Sequence, residues 1–180
     1  MAGWQCLRLF GRPRFEAWEA GFPGSVQRLR IEPSALEYVR KYRQTSFSAL
    51  EAGGQLFGRV TPDLVTVSAV AGPHRSDERS RFAFRSDPGA AQHDIQRFAR
   101  RGLVYLGEWH THAEQRPHPS ASDIAAMKGI IAHSRLNTAS LLLLIIGLAE
   151  PNADLGVWYF GSSDALRSLD QAGTKEGRIF

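Results

Sequence analysis

The sequence predicts a single α/β (α+β) domain, a mixed β-sheet flanked by helices. Three observations carry that prediction. Strand-like and helix-like patterns alternate along the chain. Thr138 to Leu148 is a nearly continuous apolar run, the mark of a central strand covered on both faces. Two further helices open on clear start signals, Asp87-Pro88 and Ser120. A chain of 180 residues suits one domain whose core can stand without disulfides. The pattern divides it into an irregular N-terminal arm over 1–25, the domain over 26–165 and a tail over 166–180.

The arm mixes aromatics, Arg, Gly and Pro without a period, and packing through Trp4, Phe10 and Trp18 is expected there. Val26 to Ile31 alternates apolar and polar residues, as a half-buried strand does. Glu32-Pro33-Ser34 then opens a helix to about Arg43, with Leu36 and Val39 at helical spacing. Leu50 to Val60 is strand-like but carries Gly53, Gly54 and Gly58, which points to a bulge or a close approach. Leu64 to Val70 is a β-branched strand joined to it through Thr61-Pro62-Asp63, so the two form a hairpin. Gly72 to Ser80 is a polar loop, and Arg81 to Phe84 a short strand.

The Asp87-Pro88 helix runs to about Arg101, with Ile95 and Phe98 inward and Gly102 ending it. Leu103 to His112 is a strand leading into a polar loop, and the Ser120 helix reaches about Ala132. Leu155 to Phe160 is the last strand, and the final ten residues form a loose tail.

Composition narrows the chemistry. Cys6 is the one cysteine, which excludes an internal disulfide framework and Cys-rich zinc fingers. Any metal must use His and carboxylate ligands, and a reducing cytoplasmic compartment is expected. The longest apolar run, Leu141 to Leu148, falls far short of the roughly 20 residues that cross a bilayer. Arg8, Arg12 and Arg14 stand where a signal peptide needs apolar residues. A net charge of +4 does not mark a nucleic-acid partner, and the arginines between Arg75 and Arg101 alternate with acids as a solvated face does.

The chemistry gathers around Glu108-Trp-His-Thr-His112. Residues i and i+2 of a strand share a face, so His110 and His112 project together while Thr111 points away. Asp123 lies in the first turn of the following helix and can face the strand end. His nitrogens and a carboxylate suit zinc, and three protein ligands leave a fourth position for water. Singly, each part has an ordinary explanation: surface histidines, and Ser120-x-x-Asp123 as a helix cap. Two carboxylates are candidates for a base, and the residues themselves leave the choice open: Glu108 shares the face of the histidines, and Glu51 lies upstream. His74, His93, His118 and His133 have no partners at ligand spacing, and Trp109 belongs to the face opposite the histidines.

His110-Thr111-His112, the seven residues Ala113 to Pro119, Ser120 and Asp123 resemble the hallmark of the JAMM (MPN-plus) zinc isopeptidases. Glu51-Ala-Gly-Gly54-Gln-Leu56-Phe-Gly58 is similar to that family's upstream glutamate segment. The resemblance implies a single MPN/JAB-like domain with cytidine-deaminase-like layering. It implies Zn2+ held by His110, His112 and Asp123, Glu51 as general acid/base, and Ser120 as a stabiliser of the oxyanion. Ala113 departs from the family's usual proline, a matter of loop stiffness rather than coordination.

The activity so implied is zinc-dependent cleavage after the C-terminal tail of a ubiquitin-like modifier or its conjugate, by Glu-assisted attack of zinc-bound water. The sequence is most similar to bacterial JAB-type proteins encoded beside activating- and conjugating-enzyme homologues, some in antiphage operons. Those enzymes are the implied partners, and a modifier or a conjugated nucleotidyltransferase the implied substrate. Gly53-Gly54 suits close approach of an extended tail that adds to the sheet. The competing readings are another zinc amide hydrolase, acting on a small amide or a sulfur-carrier precursor, and a non-catalytic MPN scaffold.

Overall fold

A computed structural model describes residues 16–151, 153–160 and 166–171. In chain order the elements are β1 (Trp18–Gly21), β2 (Arg28–Ile31), α1 (Pro33–Arg40), β3 (Gly53–Val60), β4 (Leu64–Val70), β5 (Glu78–Arg79) and β6 (Phe84–Arg85). Then follow α2 (Pro88–Ala99), β7 (Val104–Thr111), α3 (Ala121–His133), β8 (Leu141–Ile146), β9 (Leu155–Phe160) and β10 (Leu166–Ser168). Among the described residues the main sheet has eight strands in the order β1-β2-β4-β3-β7-β8-β9-β10, and β5 and β6 form a separate ribbon. β2 and β4 are parallel, as are β7 and β8, and the other pairs are antiparallel. This is the mixed, helix-flanked sheet that the pattern predicts.

The layering follows from alternation. Leu142, Leu144 and Ile146 of β8 face α1, where Leu36 and Val39 pack with them and with Trp109. Leu141, Leu143 and Ile145 face the other way onto Met127 of α3. All six β8 side chains are buried, which is why that segment shows no polar alternation. α2 covers the same face further along, its Phe98 stacked on Phe57 at 4.2 Å between ring centroids. Trp109 is fully buried on the α1 face, between Tyr38 and Tyr42, and its Nε1 donates to the Ala71 carbonyl at 2.9 Å.

Several expectations are corrected. Trp18–Gly21, inside the stretch expected to be an irregular arm, pairs with β2 as an edge strand; Trp18 and Ala20 are buried and Gly21 is exposed. A four-residue strand is too short to show a period, which hid it. Leu166–Ser168, in the expected tail, adds to β9 as the opposite edge. Trp4, Phe10 and Cys6 lie outside the described residues, as does 172–180. The ribbon pairs Glu78–Arg79 with Phe84–Arg85, so Gly72 to Ser80 is not all loop and the short strand begins later than expected. α1 ends at Arg40 rather than near Arg43.

The glycines of β3 are corrected more substantially. β3 is interior, between β4 and β7, so it offers no free edge to an incoming tail. A Cβ on Gly54 would lie 2.0 Å from the Ala71 carbonyl oxygen, and one on Gly53 would strike the Phe84 ring at 2.5 Å. The close approach is made by the chain itself.

Candidate metal centre and active site

His110 and His112 stand at the C-terminal end of β7, where Gly53 pairs with His110 and the His112 amide donates to the Ile146 carbonyl at 2.9 Å. Thr111 points to the opposite face and fastens a second segment. Its amide donates to the Ala52 carbonyl at 2.9 Å, and its Oγ1 accepts from the Ala52 amide at 3.0 Å. That clamp brings Glu51 alongside the histidines. The β5–β6 ribbon holds Glu51 from its other side: the Glu51 amide donates to the Ser80 carbonyl at 2.7 Å, and Arg79 Nε donates to the Glu51 carbonyl at 2.6 Å.

Asp123 arrives through a complete capping box. Ser120 Oγ accepts from the Asp123 amide at 3.2 Å, while Asp123 Oδ2 accepts from the Ser120 amide at 2.7 Å. The same Oδ2 lies 3.4 Å from Nε2 of both His110 and His112, and the two Nε2 atoms are 3.1 Å apart. A tetrahedral zinc ion with bonds of roughly 2.0–2.1 Å holds its ligand atoms about 3.3 Å apart. The three atoms therefore have the spacing and the chemistry of a group that could hold a zinc ion, and the carboxylate that caps the helix belongs to it. Ser120 Oγ also lies 2.8 Å from Ser122 Oγ.

The acids and imidazoles of the group perturb one another. Burial pushes the Glu51 carboxyl up, with Asp123 and Glu114 adding to the rise and His112 opposing it, to about 7. Burial also works against the ionised form of Asp123, but hydrogen bonds from His110 and His112 and the charge of His110 hold it well below the usual carboxylate range. For His112 burial favours the neutral ring, yet the Asp123 hydrogen bond and the charges of Asp123, Glu51 and Glu114 raise it above its ordinary value. The raised Glu51 and His112 report the acids gathered here, and the lowered Asp123 reports the two imidazoles it meets.

The second candidate base has a different setting. Glu108 shares the histidine face, but its carboxylate accepts from Tyr105 Oη at 2.5 Å and from Gln55 Nε2 at 3.3 Å. Burial pushes it up to about 8, those two hydrogen bonds opposing the rise and Asp77 adding to it. Simple alternation would put Tyr105 on the other face. Leu106 is an extra residue in the β3–β7 register, and this bulge, at Gly107 with φ 143°, turns Tyr105 towards Glu108. Sequence reasoning missed Tyr105, Gln55, Thr111 and Arg79. The glycine before Glu108 was the available signal for the first.

His74, expected to be a surface or loop histidine with no partners at ligand spacing, pairs with Asp94 at 2.6 Å, and Arg97 meets the other oxygen of Asp94 at 2.7 Å. The Arg75–Arg101 face is thus partly paired within itself.

The sequence matches the family described as prokaryotic homologs of the JAB domain over residues 35–159, a span holding Glu51, the β5–β6 ribbon, β7 and the start of α3. The chain belongs to that family. Two curated relatives of this JAB protein carry the name CD-NTase/cGAS isopeptidase. The one from Escherichia coli is 33% identical over 113 residues, covering 61% of this chain and 69% of the relative. The one from Pseudomonas aeruginosa is 33% identical over 122 residues, covering 65% and 76%. A solution structure of a Desulfitobacterium hafniense protein aligns with a TM-score of 0.59 at 26% identity, covering 78% of this JAB protein and 88% of that chain. Among its described residues no helix is long and apolar enough to cross a membrane.

Proposed function

We propose that this JAB protein is a zinc-dependent isopeptidase that cleaves after the C-terminal tail of a ubiquitin-like modifier or its conjugate. One observation carries the reading: Nε2 of His110, Nε2 of His112 and Oδ2 of Asp123 lie 3.1–3.4 Å apart with Glu51 buried beside them. Relatives named CD-NTase/cGAS isopeptidase support the reaction class. The substrate we assign is a ubiquitin-like conjugate, and the relatives' name points to a CD-NTase/cGAS conjugate. Activating- and conjugating-enzyme homologues of an antiphage system, in a bacterial cytoplasm, are the partners we assign.

Zinc on His110, His112 and Asp123 supplies a Lewis acid that polarises the scissile carbonyl and acidifies water. The chain's own residues do the rest. Glu51, with its carboxyl raised to about 7, is poised to take a proton from the attacking water and deliver it to the departing amine. Its backbone is pinned on both sides, by Thr111 through Ala52 and by the ribbon, so the carboxylate is held rather than searched for. Ser120 Oγ accepts the Asp123 amide and shares a hydrogen bond with Ser122 Oγ, and we assign its hydroxyl as a donor to the developing oxyanion.

Glu51→Gln is the decisive variant. It keeps about one zinc per chain and loses cleavage of linear fusions and lysine conjugates of a ubiquitin-like protein by roughly 10²–10⁴-fold. Full activity in that variant overturns the role of Glu51. A wild-type protein inert on every fusion yet active on small amides would instead make it a different zinc hydrolase.

A further inference from the structure

Between α2 and α3 a groove of about 730 Å³ runs up to His110 and Asp123. Its walls are largely aliphatic, with Ile95 on the α2 side and Met127 and Ile130 on the α3 side. Its floor carries Gln55, Tyr105 and Glu108, and no step of the reaction uses them.

That floor presents a carboxylate that only neutral donors meet. Glu108 is partly open to the groove, and both its partners are neutral, the Tyr105 hydroxyl and the Gln55 amide. Gln55 spends its Nε2 on Glu108 and on Ser86 Oγ, the latter at 2.9 Å. Its Oε1 is buried without a hydrogen-bond partner, in a residue only 1% exposed. Among the described residues no Lys, Arg or His nitrogen lies within ion-pair reach of Glu108. The nearby Arg85 at the groove's mouth is exposed, and its closest carboxylate is Glu78, at 3.9 Å. Carboxylates and amides set in apolar surroundings are costly to keep unmatched. A side chain rich in donors and positively charged is what completes the cluster.

We propose that Gln55, Tyr105 and Glu108 form a specificity site for an arginine or lysine side chain of the substrate strand lying in this groove. The inference rests on the isopeptidase reading and names a feature of its substrate. The aliphatic walls accept the methylene stem of such a side chain while its head meets the Glu108 carboxylate, the floor acceptor open to the groove. Glu108 precedes His110 by two strand positions, a separation of about 6.6 Å, so the cation belongs two or three residues from the cleaved bond.

The test uses fluorogenic tail peptides with an aminocoumarin leaving group. Arginine is placed in turn at each of the three positions before the cleaved bond, with citrulline and glutamate versions of every peptide. Wild type is expected to favour arginine over its neutral isostere citrulline by about tenfold or more in kcat/KM at one position. Glu108→Gln and Gln55→Ala bring that ratio close to one, and Glu108→Arg turns the preference towards glutamate. Zinc content and melting temperature are read for every variant, and the ratio is taken from those that remain folded and loaded. The same peptides are titrated by fluorescence anisotropy against zinc-loaded Glu51→Gln protein, with and without Glu108→Gln. Cleavage without an arginine preference overturns the specificity site and leaves the isopeptidase reading standing. An arginine preference in binding that Glu108→Gln abolishes, with no cleavage of any peptide, keeps the site and sinks the isopeptidase reading. Neither cleavage nor preferential binding sinks both.

Discussion

Asp123 shows how two roles can rest on one side chain. Its Oδ2 accepts the Ser120 amide and faces two imidazole nitrogens, so the helix start and the proposed ligand set are one piece of geometry. Replacing it by Ala removes a charged ligand as well as half of the capping box. We predict zinc well below one per chain after gel filtration, read by atomic absorption, together with a stability loss of about 1 kcal/mol from the cap. Ser120→Ala separates the two roles from the other side. It costs a similar amount in stability, keeps the metal and slows cleavage by up to roughly 10²-fold, the effect of losing one oxyanion donor. Unchanged kcat with lowered stability would reduce Ser120 to a helix cap.

At the scale of elements, the site depends on β7 lying where β8 allows it. Gly107 sits at φ 143°, and a Cβ there would come 1.9 Å from the Leu142 carbonyl oxygen of the neighbouring strand. Gly107→Ala must therefore either distort the bulge or push β8 away. We predict a loss of order 1–3 kcal/mol in urea unfolding and weaker zinc retention, because both histidines ride on the displaced strand. The grouping of His110, His112 and Asp123 was legible in the sequence because strand alternation and the first helical turn are local rules. Two histidines at i and i+2 and an acid three residues past a serine need no tertiary knowledge. α2, α3 and β8 were legible for the same reason, since each has a start signal or an unbroken apolar run. What stayed hidden depends on non-local contacts. The four residues of β1 gain their identity from pairing with β2, and the two-residue strands of the ribbon from each other. Gly53 and Gly54 were legible as points of close approach. That the approaching group was Phe84 and the Ala71 backbone required the fold.

For the molecule as a whole, metal and proton compete for one buried acidic centre, and stability should report the competition. In the metal-free protein Glu51 is raised from 4.5 to about 7 and Glu108 from 4.5 to about 8. Each carboxyl is protonated more readily when folded, so its contribution is complete below its unfolded value and is lost as pH rises through 7 and 8. His112, raised above 6.5, acts in the same direction. Asp123 is lowered below 3.8, so its contribution is lost only on acidification beneath that window. The melting temperature of the metal-free protein should then fall between about pH 5.5 and pH 8.5, with each 1 kcal/mol lost moving it by about 2–4 °C. Zinc reverses the sign. It binds deprotonated ligands and stabilises only the folded chain, so the loaded protein gains over the same range as protons leave the site. The core packed around β8 is built from apolar side chains and includes none of the three proposed ligands, so chelation should lower the melting temperature and abolish cleavage while leaving the far-ultraviolet circular dichroism unchanged. Parallel rather than crossing pH profiles for the two forms would mean that the buried carboxylates do not feel the metal, and the assignment of His110, His112 and Asp123 as its ligands would fall with them.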